Sequence, residues 1–129
     1  MEQIVRTLNI MYMGIQGKEA FTDIFPENLL QECKKYISSL EYGEMLFCNT
    51  CNLFGVILDN SPNNKPKIYS ELKPVMKFLI DVAKDKVGNW RKNSSILLAK
   101  LSINPECKDE LYKNHGMEVL KSIAEFVKK

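Results

Sequence analysis

Residues 93–102 read Asn93-Ser94-Ser95-Ile96-Leu97-Leu98-Ala99-Lys100-Leu101-Ser102. Ile96, Leu97 and Leu101 recur at helical spacing, so the stretch is expected to bury one face of a helix. Its opening has counterparts upstream. Ser94-Ser95-Ile96-Leu97 is matched in type by Thr50-Cys51-Asn52-Leu53, 44 positions earlier, and by Thr7-Leu8-Asn9-Ile10, a further 43 earlier.

Two independent markers keep the same step. An aliphatic–aromatic pair occurs as Ile24-Phe25, Ile68-Tyr69 and Leu111-Tyr112, and a doubled apolar pair as Leu29-Leu30, Val75-Met76 and Val119-Leu120. Helical stripes fill the intervals: Ile4, Leu8, Met11 and Ile15; Leu29, Leu30, Cys33, Ile37 and Leu40; Leu72, Val75, Met76, Leu79 and Val82; Val119, Leu120, Ile123 and Phe126. Gly17, Pro26, Gly43, the tract Asn60-Ser61-Pro62-Asn63-Asn64 with Lys65-Pro66, Gly88, Pro105 and Gly116 punctuate them. No segment of useful length alternates as a strand does. A period near 44 suits a three-helix armadillo or HEAT unit better than the shorter tetratricopeptide or ankyrin unit. The alternative is an irregular helical bundle with coincidental spacings.

Residues 89–124 carry the closest likeness. The stretch 93–102 resembles the third helix of an armadillo repeat, Glu110-Leu111-Tyr112 the short first helix of the next, and His115-Gly116-Met117-Glu118-Val119-Leu120 its glycine-led second helix. Gly116 is expected to supply a positive φ at that turn. The resemblance implies an all-α chain folded as a short right-handed α-solenoid of about two and a half to three repeats. It forms a single armadillo-like domain over 1–129, divided as 1–42, 43–87 and 88–129. The family's peptide-holding ladders of Trp and Asn are missing. Asn9, Asn52 and Ile96 stand at the Trp-type positions, and Met13, Val56 and Lys100 at the Asn-type ones. The likeness is therefore to irregular armadillo scaffolds rather than to nuclear-import receptors.

Bulk properties narrow the function. A net charge of +2, with Arg6 and Arg91 as the sole arginines, leaves no basic footprint for nucleic acid. No apolar run is long enough for a membrane span, and no export signal is evident. This places the chain in the cytoplasm or nucleus and leaves the acceptor pattern Asn93-Ser94-Ser95 without glycosylation. The four cysteines, Cys33, Cys48, Cys51 and Cys107, are then expected to be reduced core thiols.

Catalytic constellations are weak. Cys48-Asn49-Thr50-Cys51 places two sulfurs on one helix face, but a zinc site needs four ligands and a redox pair usually follows a strand. His115 is the sole histidine and is assigned to a loop or cap. Glu41, Glu44, Asp81 and Asp85 are assigned to helix ends and solvent, and Trp90 to packing against the neighbouring unit, with an exposed interface anchor as the alternative. No glycine-rich phosphate loop is present. No cofactor and no metal are expected.

The chain is thus read as a protein-interaction or scaffold module, not an enzyme. Its partner is a protein or peptide held in a concave groove lined by the third helices or on an exposed end. The groove row is Arg6, Asn9 and Met13, then Asn49, Asn52 and Val56, then Asn93, Ile96 and Lys100. Its amides can both donate to and accept from a polypeptide backbone. Ile4, Leu8, Ile10 and Met11 form a second apolar face at the amino-terminal end. That face suggests a homo-oligomer or membership of a larger assembly. An armadillo-type chaperone or assembly cofactor is the alternative, and a thiol-based enzyme using Cys48 and Cys51 a lesser one.

Overall fold

The computed structural model describes residues 27–116, together with Glu118 and Lys121. The described residues are helical and contain no strand. The helices are α1 (Glu27–Tyr36), α2 (Glu44–Asn60), α3 (Lys65–Leu72), α4 (Met76–Asp85), α5 (Asn89–Leu101) and α6 (Pro105–Lys113), with 3-10 turns at Pro62–Asn64 and Lys73–Val75. The amino-terminal stripe and the last one, at Val119, Leu120, Ile123 and Phe126, lie outside the described residues.

Side-chain contacts fix how the helices run. Cys48 and Phe47, early in α2, meet Asn89 and Trp90 at the start of α5, while Asp59, late in α2, meets Lys100 late in α5. The two helices are therefore side by side and parallel. The same holds for α1 and α3: Lys67 pairs with Glu27 at 3.2 Å, and one turn on, Glu71 receives Lys34 at 3.2 Å and Gln31 at 3.1 Å. Helix α5 turns back along α4, because Arg91 donates Nε to Ala83 O at 2.8 Å and Nη2 to Lys84 O at 3.1 Å, satisfying carbonyls at the end of α4. Phe47 ties three helices together, its ring 5.0 Å from that of Trp90 on α5 and 6.3 Å from that of Phe78 on α4. Trp90 thus packs between helices.

Burial repeats along the chain. In α2, Thr50, Cys51, Leu53, Phe54 and Ile57 are buried; in α5, 44 positions on, so are Ser94, Ser95, Leu97, Leu98 and Leu101. Even the polar pair behaves alike. Thr50 Oγ1 donates to Leu46 O at 2.7 Å, and Ser94 Oγ donates to Trp90 O at 2.7 Å. Each buried hydroxyl is satisfied by its own helix, four residues back. Likewise Leu30, Cys33, Tyr36 and Ile37 correspond in burial to Met76, Leu79, Val82 and Ala83. Both α2 and α5 are led in by a glycine with positive φ, Gly43 at 91° and Gly88 at 63°. There an L side chain would be strained.

Several sequence expectations change. The stripe through Leu72, Val75, Met76, Leu79 and Val82 is buried throughout, yet its backbone is interrupted at Lys73–Val75, where Pro74 removes an amide donor. The tract at residues 60–66 is not an extended loop. Asn60 closes α2, residues 62–64 form a 3-10 turn, and Pro66 sits in the first turn of α3, where a missing N–H costs nothing. Ser61 and Asn64 are buried there, Asn64 Nδ2 donating to Ser61 Oγ at 2.6 Å. Leu40 lies beyond the end of α1 and is exposed. At the end of α6 the positive φ, 58°, belongs to His115 and not to Gly116. Gly116 is required by crowding instead: a Cβ there would run into Leu111 Cδ1 and come within 3.1 Å of Ile80 Cδ1.

Candidate binding groove

The parallel pairing of α2 and α5 leaves an open groove over their amino-terminal halves. It has a volume of about 520 Å³ and is lined by Glu44, Met45, Cys48, Asn49, Asn52, Asn89 and Asn93. These residues follow helical spacing on each side. On α2 the steps of three and four from Met45 to Cys48, Asn49 and Asn52 keep one face turned outward, while Phe47, Cys51 and Phe54 turn inward. Asn89 and Asn93 are one turn apart on α5, and Asn93 Nδ2 donates to Asn89 O at 2.9 Å. Cys48 Sγ reaches the same carbonyl from across the groove at 3.3 Å.

An ion pair joins the same two helices further along. Lys100 Nζ lies 2.6 Å from Asp59 Oδ2, and its stem crosses α2 at Gly55, where a Cβ would stand 3.3 Å from Nζ. A glycine at that position leaves room for the lysine stem between the helices.

Of the residues read from sequence as the groove row, Asn49, Asn52 and Asn93 come together in this groove. Val56, Ile96 and Lys100 lie further along the same two helices and do not line it. Val56 is half-buried against the core, Ile96 is 37% exposed, and Lys100 is engaged with Asp59. Arg6, Asn9 and Met13, and the end-face residues Ile4, Leu8, Ile10 and Met11, lie outside the described residues. Sequence reasoning missed Glu44, Met45, Cys48 and Asn89. Their signal was present: Met45 and Asn89 each precede an assigned Asn by one helical turn, so the row needed extending backwards. Cys48 is accordingly not a core thiol but a half-buried wall of the groove.

The thiols are the reverse of activated. Burial pushes Cys33 up to about 12, with Glu32 adding to the shift. Burial followed by the Glu44 carboxylate raises Cys48 to about 11, and burial then Glu106 takes Cys107 to about 11. Cys51, on the inward face, is raised well above the ordinary value by burial and by Cys48. A nucleophilic or redox cysteine is usually shifted the other way. Among the described residues no three His, Cys, Asp or Glu side chains gather as a metal site, and no helix is long and apolar enough to cross a membrane.

Comparison with protein-family models, with curated proteins and with solved structures found no match.

Proposed function

We propose that this chain is a short armadillo-like α-solenoid that acts as a protein-interaction module, holding a polypeptide segment in the groove between α2 and α5. The observation that carries this reading is the groove itself. Four asparagines and two sulfur-bearing side chains face one open volume between parallel helices. Amides suit a peptide backbone, which offers both donors and acceptors, and Met45 gives a side chain an adaptable apolar seat. The matching burial of α2 and α5 at a step of 44 supports repeated units stacked side by side, each covering its neighbour. The raised thiols weigh against the thiol-enzyme alternative.

The test is retention of a degenerate octapeptide pool by the immobilised full chain. Replacing the exposed Asn52 by Trp fills the groove without touching the core, and Lys77→Glu on α4 serves as a remote control. Retention is expected to fall at least fivefold with Asn52→Trp and to persist with Lys77→Glu. Equal retention by both variants contradicts groove binding.

A further inference from the structure

The described groove lining holds one charge. Glu44 is its sole charged residue; the other six are Met45, Cys48 and the four asparagines Asn49, Asn52, Asn89 and Asn93. No cation is among the described residues that line the groove. Arg91, two residues from Asn89, is committed to the carbonyls of Ala83 and Lys84. The Lys86 ammonium lies 5.6 Å from the centre of the Trp90 ring, and that of Lys35 lies 5.5 Å from the centre of Tyr42. Lys100 is paired with Asp59 further along the two helices. Lys92 is exposed on α5 next to Asn93 but does not line the groove. Glu44 therefore presents a carboxylate beside an apolar seat, since Met45 is 56% exposed and Cys48 stands one turn along. Its charge is felt within the groove, where it helps to raise the Cys48 thiol.

We infer that the segment held in this groove carries a single cationic side chain, Lys or Arg, set against Glu44 and flanked by uncharged apolar residues. This rests on the groove reading above. A basic tract is a poor fit, because one carboxylate compensates one cation and the chain as a whole carries a net +2. An acidic segment is a worse one, because it would bring like charge onto Glu44 with no cation in the described lining to offset it.

Four octapeptide pools decide the matter, degenerate except at the centre. Three carry Lys, Gln or Glu there, and the fourth carries three consecutive Lys. Each is passed over the immobilised full chain at low ionic strength. The Lys pool is expected to be retained about two- to fivefold better than the Gln pool, the advantage conferred by one exposed ion pair. The Glu pool falls below Gln, and three Lys do no better than one. In Glu44→Gln the ratio of Lys-pool to Gln-pool retention is expected to fall to about one. A Lys advantage that survives Glu44→Gln overturns the inference, as does preference for the Glu pool or for three Lys. Charge-blind retention that is lost in Asn52→Trp overturns the inference but leaves the groove reading standing. Retention that Asn52→Trp does not diminish overturns both.

Discussion

Ser95 is buried on α5, and its Oγ is the one buried side-chain oxygen without a hydrogen-bond partner among the described residues. An unsatisfied buried hydroxyl is costly, and alanine is also the better helix former. Ser95→Ala should therefore raise stability by about 1 kcal/mol, read as a higher urea midpoint at unchanged slope. A lower midpoint would mean that the hydroxyl has a role the packing hides. The neighbouring Ser94, whose hydroxyl is satisfied, should not gain in this way. The thiols give a second residue-level prediction. Cys33, Cys48 and Cys107 are all raised above the ordinary value of 9.0, toward 11 or 12. The folded state then holds these protons more tightly than the unfolded state does. Stability from this source is full below pH 9 and declines as pH rises from 9 toward 11. Urea midpoints at pH 8 and pH 10.5 test it, and Cys48→Ser should remove part of the decline. At this scale the sequence was informative about chemistry but not about direction. It named the cysteines as ordinary thiols; which one faced the groove depended on the roll of α2.

Single helices are governed by how they begin and end. Gly88 leads into α5 at a φ of 63° with nothing within 4 Å of where a Cβ would sit, so an alanine there is strained but not crowded. Gly116 is the opposite, crowded by Leu111 and Ile80 at an ordinary φ. Gly88→Ala should cost about 1–3 kcal/mol, because φ 63° with ψ −135° lies outside the left-handed helical region and suits glycine alone. Asn tolerates only the left-handed helical region, so at Gly88 it should cost about as much as Ala; at Gly116 the larger Asn should cost more than Ala, because the loss there comes from collision. Thermal melts of the four variants separate strain from collision. The helix punctuation was partly legible. Pro105 was read as a helix boundary and does open α6, where Asn104 Oδ1 accepts from Glu106 N and Cys107 N, each at 3.1 Å. Lys65-Pro66 was misread because proline ends one helix and begins another with equal ease. The turn at Pro62–Asn64 was misread because Ser61 and Asn64 satisfy each other, which lets a polar tract be buried.

Across the whole molecule the parallel pairs α1–α3 and α2–α5 hold the helices in register. The correspondence of α2 with α5 at a step of 44 was readable because their buried faces occupy matching positions. The groove was only half readable, since its opening depends on two helices meeting over their first turns, and no single stripe encodes that. Phe47 tests how strongly the helices are joined. It is fully buried and touches aromatic rings on both α4 and α5. Phe47→Ala should cost about 3–5 kcal/mol in urea unfolding, because the space it leaves is walled by three helices that cannot all close on it. A loss below about 1 kcal/mol would show that the helices pack independently.

The most direct test of a binding surface between α2 and α5 is a map of amide and side-chain chemical shifts during titration with the Lys-centred octapeptide pool. Shifts are expected to gather at Met45, Cys48, Asn49, Asn52, Asn89 and Asn93. Shifts centred instead on Gln31, Lys34 and Glu71 along α1 and α3, or none as the pool is raised to millimolar concentration, would contradict it.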